Sequence, residues 1–321
     1  MKTIKTGVIG AGYLGRFHAE KYFQLPNAEL VGVVDLDREK ADNLATRLNT
    51  GSFYSHRDIL DKVDAVSVVT PTETHFEITK DCLARGIDVM LEKPMTSTVG
   101  EAEKLIEEAE RNDALLQIGH LERFNGAVVA LEGKYVSPLF IESDRLSPFP
   151  NRGVDVDVVL DLMIHDIDII LNLVKSDFES VEAVGMPVVS GKVDIANARL
   201  KFRNGCVANV TASRVAREAL RKIRLFQPGE YISIDYAAQK IAIFKKEGGD
   251  GEMPRIVEED IKIKMKDSLM EEIKAFLNCV ANRSQPLVSG RDGRRALHVA
   301  QKIQAAIKES LNTIEGSVGK L

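Results

Sequence analysis

The segment Gly10-Ala11-Gly12-Tyr13-Leu14-Gly15 decides the fold of the N-terminal part of this 321-residue chain. It follows the strand-like run from Ile4 to Ile9 and precedes a helical pattern. In such a turn Gly10 allows the tight bend, Gly12 lets the backbone approach a pyrophosphate, and Gly15 lets the helix pack on the strand. The segment therefore predicts a dinucleotide-binding turn between a strand and a helix, lined by Tyr13 and Leu14.

Strand-like and helical patterns alternate through the first 120 residues. Further strands are predicted at Ala28 to Val34, Ala65 to Val69, Ile87 to Leu91 and Leu115 to Ile118. Thr98 and Glu101 have the spacing of a capping box and open an amphipathic helix. This alternation predicts an α/β fold that begins with a doubly wound, parallel Rossmann sheet.

Beyond about residue 121 consecutive strand-like runs are joined by short turns, which favours a mostly antiparallel, open sheet. The predicted strands are Ser180 to Val189, Ala198 to Phe202, Cys206 to Ala212, Ile223 to Phe226, Tyr231 to Ile234 and Lys240 to Phe244. Ser268 with Glu271 predicts a capped helix through about Ala281, and another helix is expected from Arg294 to Leu311. The chain thus divides into predicted domains 1–120 and 121–321.

Composition narrows the classes of function. A net charge of -5 and a pI near 5.8 argue against a nucleic-acid partner, because phosphate neutralisation needs a basic surface. Cys82, Cys206 and Cys279 are isolated, so neither a zinc site nor a disulfide framework is expected. Without a signal-like or membrane-spanning apolar run, the sequence predicts a cytoplasmic protein that does not act at a membrane.

Asp35 ends the second predicted strand, 20 residues after Gly15. An acid at this spacing binds the ribose hydroxyls of the adenosine half of a dinucleotide, which favours NAD. Arg38 lies close enough to reach a ribose phosphate, so NADP stays open at this stage.

Thr70, Pro71, Thr72 and His75 follow the strand from Ala65 to Val69. They lie at the carboxyl edge of the predicted sheet, where ligands bind in open α/β folds, and are predicted to line the nicotinamide side. The alternative for His75 is an ordinary surface position near a helix N-terminus.

Glu92-Lys93-Pro94 again comes just after a strand, so Glu92 and Lys93 are predicted beside the cofactor. Lys93 can polarise or protonate a substrate oxygen if its surroundings lower its pKa. The alternative is an exposed loop lysine. The proline at 94 is compatible with either a cis or a trans Lys93–Pro94 peptide bond.

A polar stripe runs through an otherwise apolar segment, at Asp157, Asp161, His165, Asp168 and Asn172. On a helix these residues share one face, which either meets water or lines a site. Asp161 and His165 are spaced for metal ligation, but further ligands are lacking and nicotinamide chemistry needs no metal. With Lys93, His165 can instead move the proton that accompanies a hydride, which predicts a nicotinamide-dependent oxidoreductase.

These residues together resemble the Gfo/Idh/MocA oxidoreductase family over essentially the whole chain. The matching motifs are Gly10 to Gly15, Thr70-Pro71 with His75, Glu92-Lys93-Pro94, His120 with Arg123-Phe124-Asn125, Asp161 to His165, and Ser289-Gly290-Arg291-Asp292-Gly293. The resemblance implies an NAD(P)-binding domain at 1–120 and a substrate-binding, oligomerising domain at 121–321, assembled as a homodimer or homotetramer. It implies Lys93 and His165 as the catalytic pair with Asp161 in support, and substrate contacts from His120, Arg123 and Asn125.

Two departures from the family pattern bear on substrate shape. Asp157-Val158-Val159-Leu160 stands where many members carry glycines, and Asn125-Gly126 stands where a proline is usual.

A basic island suggests the substrate class. It comprises Arg214, Arg217, Arg221, Lys222 and Arg224, and Arg145 and Arg152 flank the loop from Ser147 to Pro150. Such groups clamp a diphosphate, or else form a solvated or subunit-contacting face. The segment from Arg145 to Asp168 resembles dehydrogenases that oxidise UDP-N-acetylglucosamine at its 3-hydroxyl. A free-sugar or inositol dehydrogenase and a non-catalytic, NAD-sensing regulator are the alternatives.

Overall fold

The computed structural model describes residues 3–134, 136–149, 156–248 and 253–318. The chain forms two compact units. The first comprises residues up to Phe124 together with Asp267–Leu297, and the second comprises Asn125–Lys266 together with residues from His298 onward.

The elements follow the predicted alternation. Among the described residues the strands are β1 (Ile4–Ile9), β2 (Ala28–Val34), β3 (Gly51–Phe53), β4 (Ala65–Val68), β5 (Asp88–Glu92), β6 (Leu116–Gly119), β7 (Phe140–Leu146), β8 (Phe178–Met186), β9 (Ile195–Phe202), β10 (Val207–Ser213), β11 (Leu220–Gln227), β12 (Glu230–Asp235), β13 (Lys240–Glu247) and β14 (Arg255–Ile261). The helices are α1 (Tyr13–Gln24), α2 (Arg38–Leu48), α3 (Thr72–Leu83), α4 (Val99–Arg111), α5 (Gly126–Val129), α6 (Ile164–Val174), α7 (Ser268–Asn282) and α8 (Gly290–Val318).

The first unit is built on a parallel sheet whose described strands have the order β3-β2-β1-β4-β5-β6. This is the strand order of the doubly wound dinucleotide-binding fold, so the predicted Rossmann sheet is confirmed. The capping box before α4 is also confirmed, because Glu101 N donates to Thr98 Oγ1 at 3.2 Å and Thr98 N donates to Glu101 Oε2 at 2.9 Å. The short strand β3 was not predicted.

Helix α7 belongs to the first unit, although it follows the second unit's sheet in sequence. Its Ile273 and Phe276 are fully buried in the same core as Ala19 and Tyr22 of α1. The predicted helix is confirmed, but Ser268 does not cap it. Asp267 is the cap, because its carboxylate accepts the Met270 N–H at 3.1 Å.

The second unit is built on a mostly antiparallel sheet, as predicted, with the order β14-β13-β12-β11-β7-β10-β9-β8 among the described strands. Only the β7–β10 pair is parallel within the described residues. Helix α6 packs on β7 and β10. Alternate residues of each central strand are therefore buried, which leaves the opposite face of the sheet less covered.

The polar stripe does not lie on one regular helix. A π-helical turn, Val159–Met163, precedes α6 and shifts the register between Asp157 and His165. Asp157 acts as a cap, because its Oδ1 accepts Val159 N at 3.0 Å. Asp168 is 1% exposed whereas Asn172 is exposed, so the interpretation of a single water-facing stripe is wrong. No helix in the described ranges is long and apolar enough to span a bilayer.

Candidate active site

Predicted site residues of the first unit meet at one edge of its sheet. Gly10, Asp35, Lys93 and His120 directly follow β1, β2, β5 and β6, and Thr70 lies two residues after β4. Because parallel strands end at the same edge, these positions lie along the crevice where α/β sheets bind ligands. The switch in strand order, between β1 and β4, falls at Gly10 and Thr70.

The glycine turn has the backbone geometry that a pyrophosphate needs. Gly10 has φ 105°, a conformation that favours glycine, and a Cβ on Gly15 would collide with the Gly10 carbonyl oxygen. Gly12, at the N-cap of α1, has open space where a Cβ would stand, measured against the described residues. Since Gly12 has no side chain to cap α1, the first N–H groups of the helix are oriented for an anion.

Asp35 organises the end of β2. Its Oδ2 accepts Ala11 N in the glycine turn at 2.8 Å, and its Oδ1 accepts Asp37 N at 2.9 Å. Each carboxylate oxygen retains a lone pair for a ribose hydroxyl. Arg38 instead stacks on the Tyr54 ring, with its guanidinium carbon 4.4 Å from the ring centroid.

Leu36 was missed from sequence. It is 89% exposed directly after Asp35, which places an apolar side chain beside the predicted ribose acid. The sequence signal for a ligand contact was an apolar residue between two aspartates in a turn. An apolar side chain at such a position is better suited to pack on an adenine ring than to face water.

His75 is not a surface residue, so that alternative is wrong. The side chain is 1% exposed, with Nε2 2.8 Å from the Thr70 carbonyl oxygen and Nδ1 2.9 Å from that of Pro94. Burial lowers the pKa of His75, although the two carbonyl contacts act in the opposite direction. His75 therefore connects the loop after β4 to the loop after β5, where the Lys93–Pro94 peptide is cis.

Glu92 is buried immediately before Lys93. Its Oε1 lies 3.1 Å from His18 Nε2, and its Oε2 accepts Lys93 N at 3.2 Å. Burial raises the pKa of Glu92, but the His18 hydrogen bond and the charges of His18 and Lys93 outweigh it, so the carboxyl pKa is lowered. Lys93 itself is half-buried, which differs from an exposed loop lysine.

His120 and Arg123, predicted to contact substrate, are both buried in the first unit. His120 precedes a 3₁₀ turn, Leu121–Phe124, that contains Arg123 and packs on α7. Asn125, in the second unit, caps α5, because its Oδ1 accepts Ala127 N at 3.1 Å and its Nδ2 donates to the Tyr236 carbonyl at 3.0 Å. Its substrate contact stays a prediction.

Asp161 and His165 lie in the second unit, on the π-helical turn and at the start of α6. Both are half-buried, whereas Asp166 between α6 and β7 is fully buried. Asp166 Oδ2 accepts Arg145 Nε at 2.5 Å, and Ser143 Oγ donates to Oδ1 at 2.8 Å. This pair fixes α6, which carries His165, against the sheet.

The structure divides the basic island. Arg214 is 0% exposed and contacts Asp194 Oδ1 at 2.8 Å, and Arg145 is paired with Asp166, so neither presents its charge to a diphosphate. Arg224 lies 3.3 Å from both Glu142 and Asp144. Arg152 lies outside the described residues.

Arg217 and Arg221 are exposed. Arg221 pairs in register with Arg145, whose side chain faces α6. Arg221 therefore belongs to the face of the sheet that carries α6. Because successive residues of a strand point to opposite faces, Lys222 and Arg224 belong to the other face.

Comparison with known proteins adds the family. Residues 4–120 match a family model described as "Oxidoreductase family, NAD-binding Rossmann fold", and residues 125–227 match the GFO/IDH/MocA C-terminal domain. The UDP-N-acetylglucosamine 3-dehydrogenase of Acidithiobacillus ferrooxidans is 38% identical over 310 residues, covering 96% of this chain and 98% of that protein. The chain belongs to the Gfo/Idh/MocA oxidoreductase family. The predicted family, oxidoreductase class and NAD cofactor are confirmed at this level.

Two further comparisons with this Gfo/Idh/MocA protein are informative. A solved structure of the Acidithiobacillus enzyme superposes with a TM-score of 0.92, covering 96% of this chain and 99% of that chain. The myo-inositol 2-dehydrogenase of Thermotoga maritima is 29% identical and covers 95% of this chain and 97% of that protein. Both similarities extend over the two units.

Proposed function

We propose that this protein is an NAD-dependent dehydrogenase that oxidises the 3-hydroxyl of UDP-N-acetylglucosamine to a ketone. The observation that carries the proposal is the full-length similarity, at 38% identity, to an enzyme with that activity. An NAD-binding turn with Asp35 at its edge supports the cofactor. The inositol dehydrogenase at 29% identity makes a cyclic polyol the second candidate substrate.

The chain's own residues have separate roles in this proposal. When bound, NAD supplies the hydride acceptor. Lys93 binds the substrate oxygen, His165 takes the hydroxyl proton, and Asp161 orients the imidazole. Lys93 and His165 belong to different compact units, so their joint action on one hydroxyl is the part that variants must test.

Arg221 is the cation of the basic island that best suits the diphosphate. It is exposed on the same face of the sheet as α6, whereas Arg145, Arg214 and Arg224 are paired with acids. A guanidinium matches phosphate geometry with two parallel hydrogen bonds.

The predicted cytoplasmic location and homodimer or homotetramer remain predictions. A row of stacked rings, Phe140, Phe226, Tyr231 and Phe244, crosses four strands with centroids 4.9 to 5.6 Å apart. Phe140 alternates with residues that face α6, so this row lies on the opposite face of the sheet. Light scattering on the purified protein measures the assembly.

The direct test incubates purified protein with NAD and a panel of UDP-sugars, free sugars and inositols. An aminotransferase with glutamate removes the ketone and drives an unfavourable oxidation. We expect NADH formation and a keto product with UDP-N-acetylglucosamine. Turnover of inositols or free sugars alone would replace the proposal with the polyol alternative. NAD binding without turnover of any compound would favour the regulatory one.

Two variants test the catalytic pair. Lys93→Met and His165→Asn are expected to lower kcat by about 10²- to 10⁴-fold, the usual effect of removing a proton-transfer or positioning group. NADH fluorescence should show retained cofactor binding. Lys104→Met, an exposed lysine of α4, is the matched control and should keep full turnover. Full turnover by either of the first two would remove that residue from the mechanism.

A further inference from the structure

A chain of buried polar side chains runs beneath the glycine turn of the first unit. Tyr22 Oη lies 2.8 Å from Ser67 Oγ, which lies 3.1 Å from His18 Nδ1. His18 Nε2 in turn lies 3.1 Å from Glu92 Oε1. Tyr22, Ser67 and His18 are at most 1% exposed and Glu92 is 7% exposed.

The chemistry of the groups orients the contact between His18 and Glu92. Glu92 is a carboxylate and can only accept, so His18 Nε2 carries the hydrogen. His18 Nδ1 and the Ser67 and Tyr22 hydroxyls can each donate or accept, so the direction of these two contacts depends on the His18 tautomer. Burial raises the pKa of Tyr22, which keeps its hydroxyl protonated. Each of these buried polar atoms has a hydrogen-bond partner within the chain.

The far end of the chain lies at the site. The other oxygen of Glu92 accepts the backbone N–H of Lys93 at 3.2 Å. A Cβ on Gly119 would stand 3.0 Å from this carboxyl group, so β6 also encloses it. The chain therefore joins α1, whose N-terminus follows the glycine turn, through β4 to the end of β5.

From this geometry we infer that His18 is a positioning residue for Lys93, acting through Glu92. The Glu92 carboxylate contacts His18 through one oxygen and the Lys93 N–H through the other, so it holds the Lys93 backbone in place. His18 lies on α1, which anchors this contact. The role in catalysis rests on the proposed function, whereas the role in holding Lys93 does not.

Removing His18 leaves Glu92 Oε1 buried without its donor. The carboxyl pKa then rises, because burial is no longer opposed by the His18 hydrogen bond. The charged or titratable groups around the chain are His18, Lys93, His75 on α3, and Glu272 on α7, which acts on Tyr22. A protonated Glu92 makes a weaker hydrogen bond to the Lys93 N–H.

The test compares four variants: His18→Leu, His18→Gln, Ser67→Ala and Tyr22→Phe. His18→Leu should lower kcat by about ten- to a hundredfold with an unchanged KM for NAD, as expected for a displaced catalytic group. The amide of His18→Gln can donate to Glu92 and should recover most of the loss. Ser67→Ala should fall between these, and Tyr22→Phe, which removes only the terminal hydroxyl, should stay within about twofold.

Two readouts separate positioning from a general loss of stability. The kcat–pH profile of His18→Leu should lose activity at a higher pH on its acid side than the wild type, because Glu92 becomes protonated. Hydrogen exchange in the peptide containing residues 88–97 should be about tenfold faster at Lys93. Tyr22→Phe should change neither measurement.

Hydrogen exchange needs no substrate, so it tests the inference even if UDP-N-acetylglucosamine is not oxidised. Unchanged exchange at Lys93 in folded His18→Leu overturns the inference. If the enzyme turns over, faster exchange at Lys93 with an unchanged kcat and an unchanged pH profile would overturn the role of His18 in catalysis. If His18→Leu does not fold, the same measurements on Ser67→Ala decide: exchange and a pH profile like those of Tyr22→Phe contradict the inference.

Discussion

The two compact units bury polar groups in different ways. In the first unit, His18, Ser67, Tyr22 and Glu92 form a chain of hydrogen bonds. In the second unit, two pairs of oppositely charged side chains are buried. Arg214 with Asp194 and Arg145 with Asp166 are each at most 3% exposed.

This difference separates groups that support the site from groups that support the fold. The chain of the first unit ends at the backbone of Lys93, at the ligand-binding edge of the sheet. The Arg214–Asp194 ion pair of the second unit instead holds nearby backbone. Arg214 donates to the Val156 carbonyl at 2.8 Å, and Asp194 Oδ2 accepts three backbone N–H groups, from Val188, Val189 and Ser190. A basic residue in the sequence is therefore not a ligand contact until its acid partners are known.

The largest expected effect is on stability. Arg214→Met leaves Asp194 buried without its counter-ion, which costs about 3–5 kcal/mol for a pair of this kind. Urea unfolding followed by circular dichroism measures the loss. Arg217→Met, three residues away and exposed, is the matched control and should change stability by less than about 0.5 kcal/mol. Equal losses in the two variants would contradict the assignment of Arg214 to the fold.

Acid should also lower the stability that Asp194 contributes, but by less than Arg214→Met does. Burial raises the pKa of Asp194, but hydrogen bonds from Ser190 and the Val188–Ser190 backbone outweigh it and the net pKa is lowered. A lowered folded-state pKa gives stability that is present above the unfolded value of about 3.9 and is lost as the pH falls below it. Urea midpoints at several pH values from about 5 down to about 2 measure this. The Asp194→Asn variant should show a flatter acid dependence, and a slope equal to that of the wild type would refute the linkage.

Much of the fold was predictable, because it depends on local patterns. Strands β1 and β2 have the predicted bounds, because each ends in an apolar stretch, Gly7 to Ile9 and Leu30 to Val34, directly before its turn. Strand β7 was missed because its buried positions are Ile141, Ser143 and Arg145, which do not read as an apolar face. Only Asp166, twenty-one residues later in sequence, makes that face compatible with burial.

The site divides in the same manner. Gly10, Asp35 and Lys93 were identified because each follows a strand at a fixed spacing. His18 and Ser67 were not identified, because their contacts join α1 to β4 and β5 over 49 and 74 residues of sequence. The basic island was interpreted as one group, yet strand alternation and distant acids assign its members to different surroundings.

A third experiment tests Arg221, an exposed cation of the basic island. Arg221→Ala should raise the KM for UDP-N-acetylglucosamine by about ten- to a hundredfold, the range for one lost hydrogen-bonded charge contact, with a smaller effect on kcat. Lys222→Ala removes the same charge from the adjacent position on the opposite face and is the matched control. Equal changes in KM would show that general charge, rather than a contact by Arg221, attracts the substrate.

The smallest expected effect concerns the choice of cofactor. Asp35 carries a negative charge at the turn, held by Ala11 N and Asp37 N, where the 2′-phosphate of NADP would meet it. Asp35→Asn keeps the acceptor for Ala11 N but removes this repulsion, so NADPH should bind about tenfold more tightly and NADH somewhat more weakly. Fluorescence titration with both nucleotides measures the ratio. Leu36→Ala is the control, because it removes apolar contact without changing charge and should weaken both nucleotides alike. If Asp35→Asn leaves the ratio unchanged, preference for NAD is set elsewhere, and Arg38 on Tyr54 becomes the next residue to change.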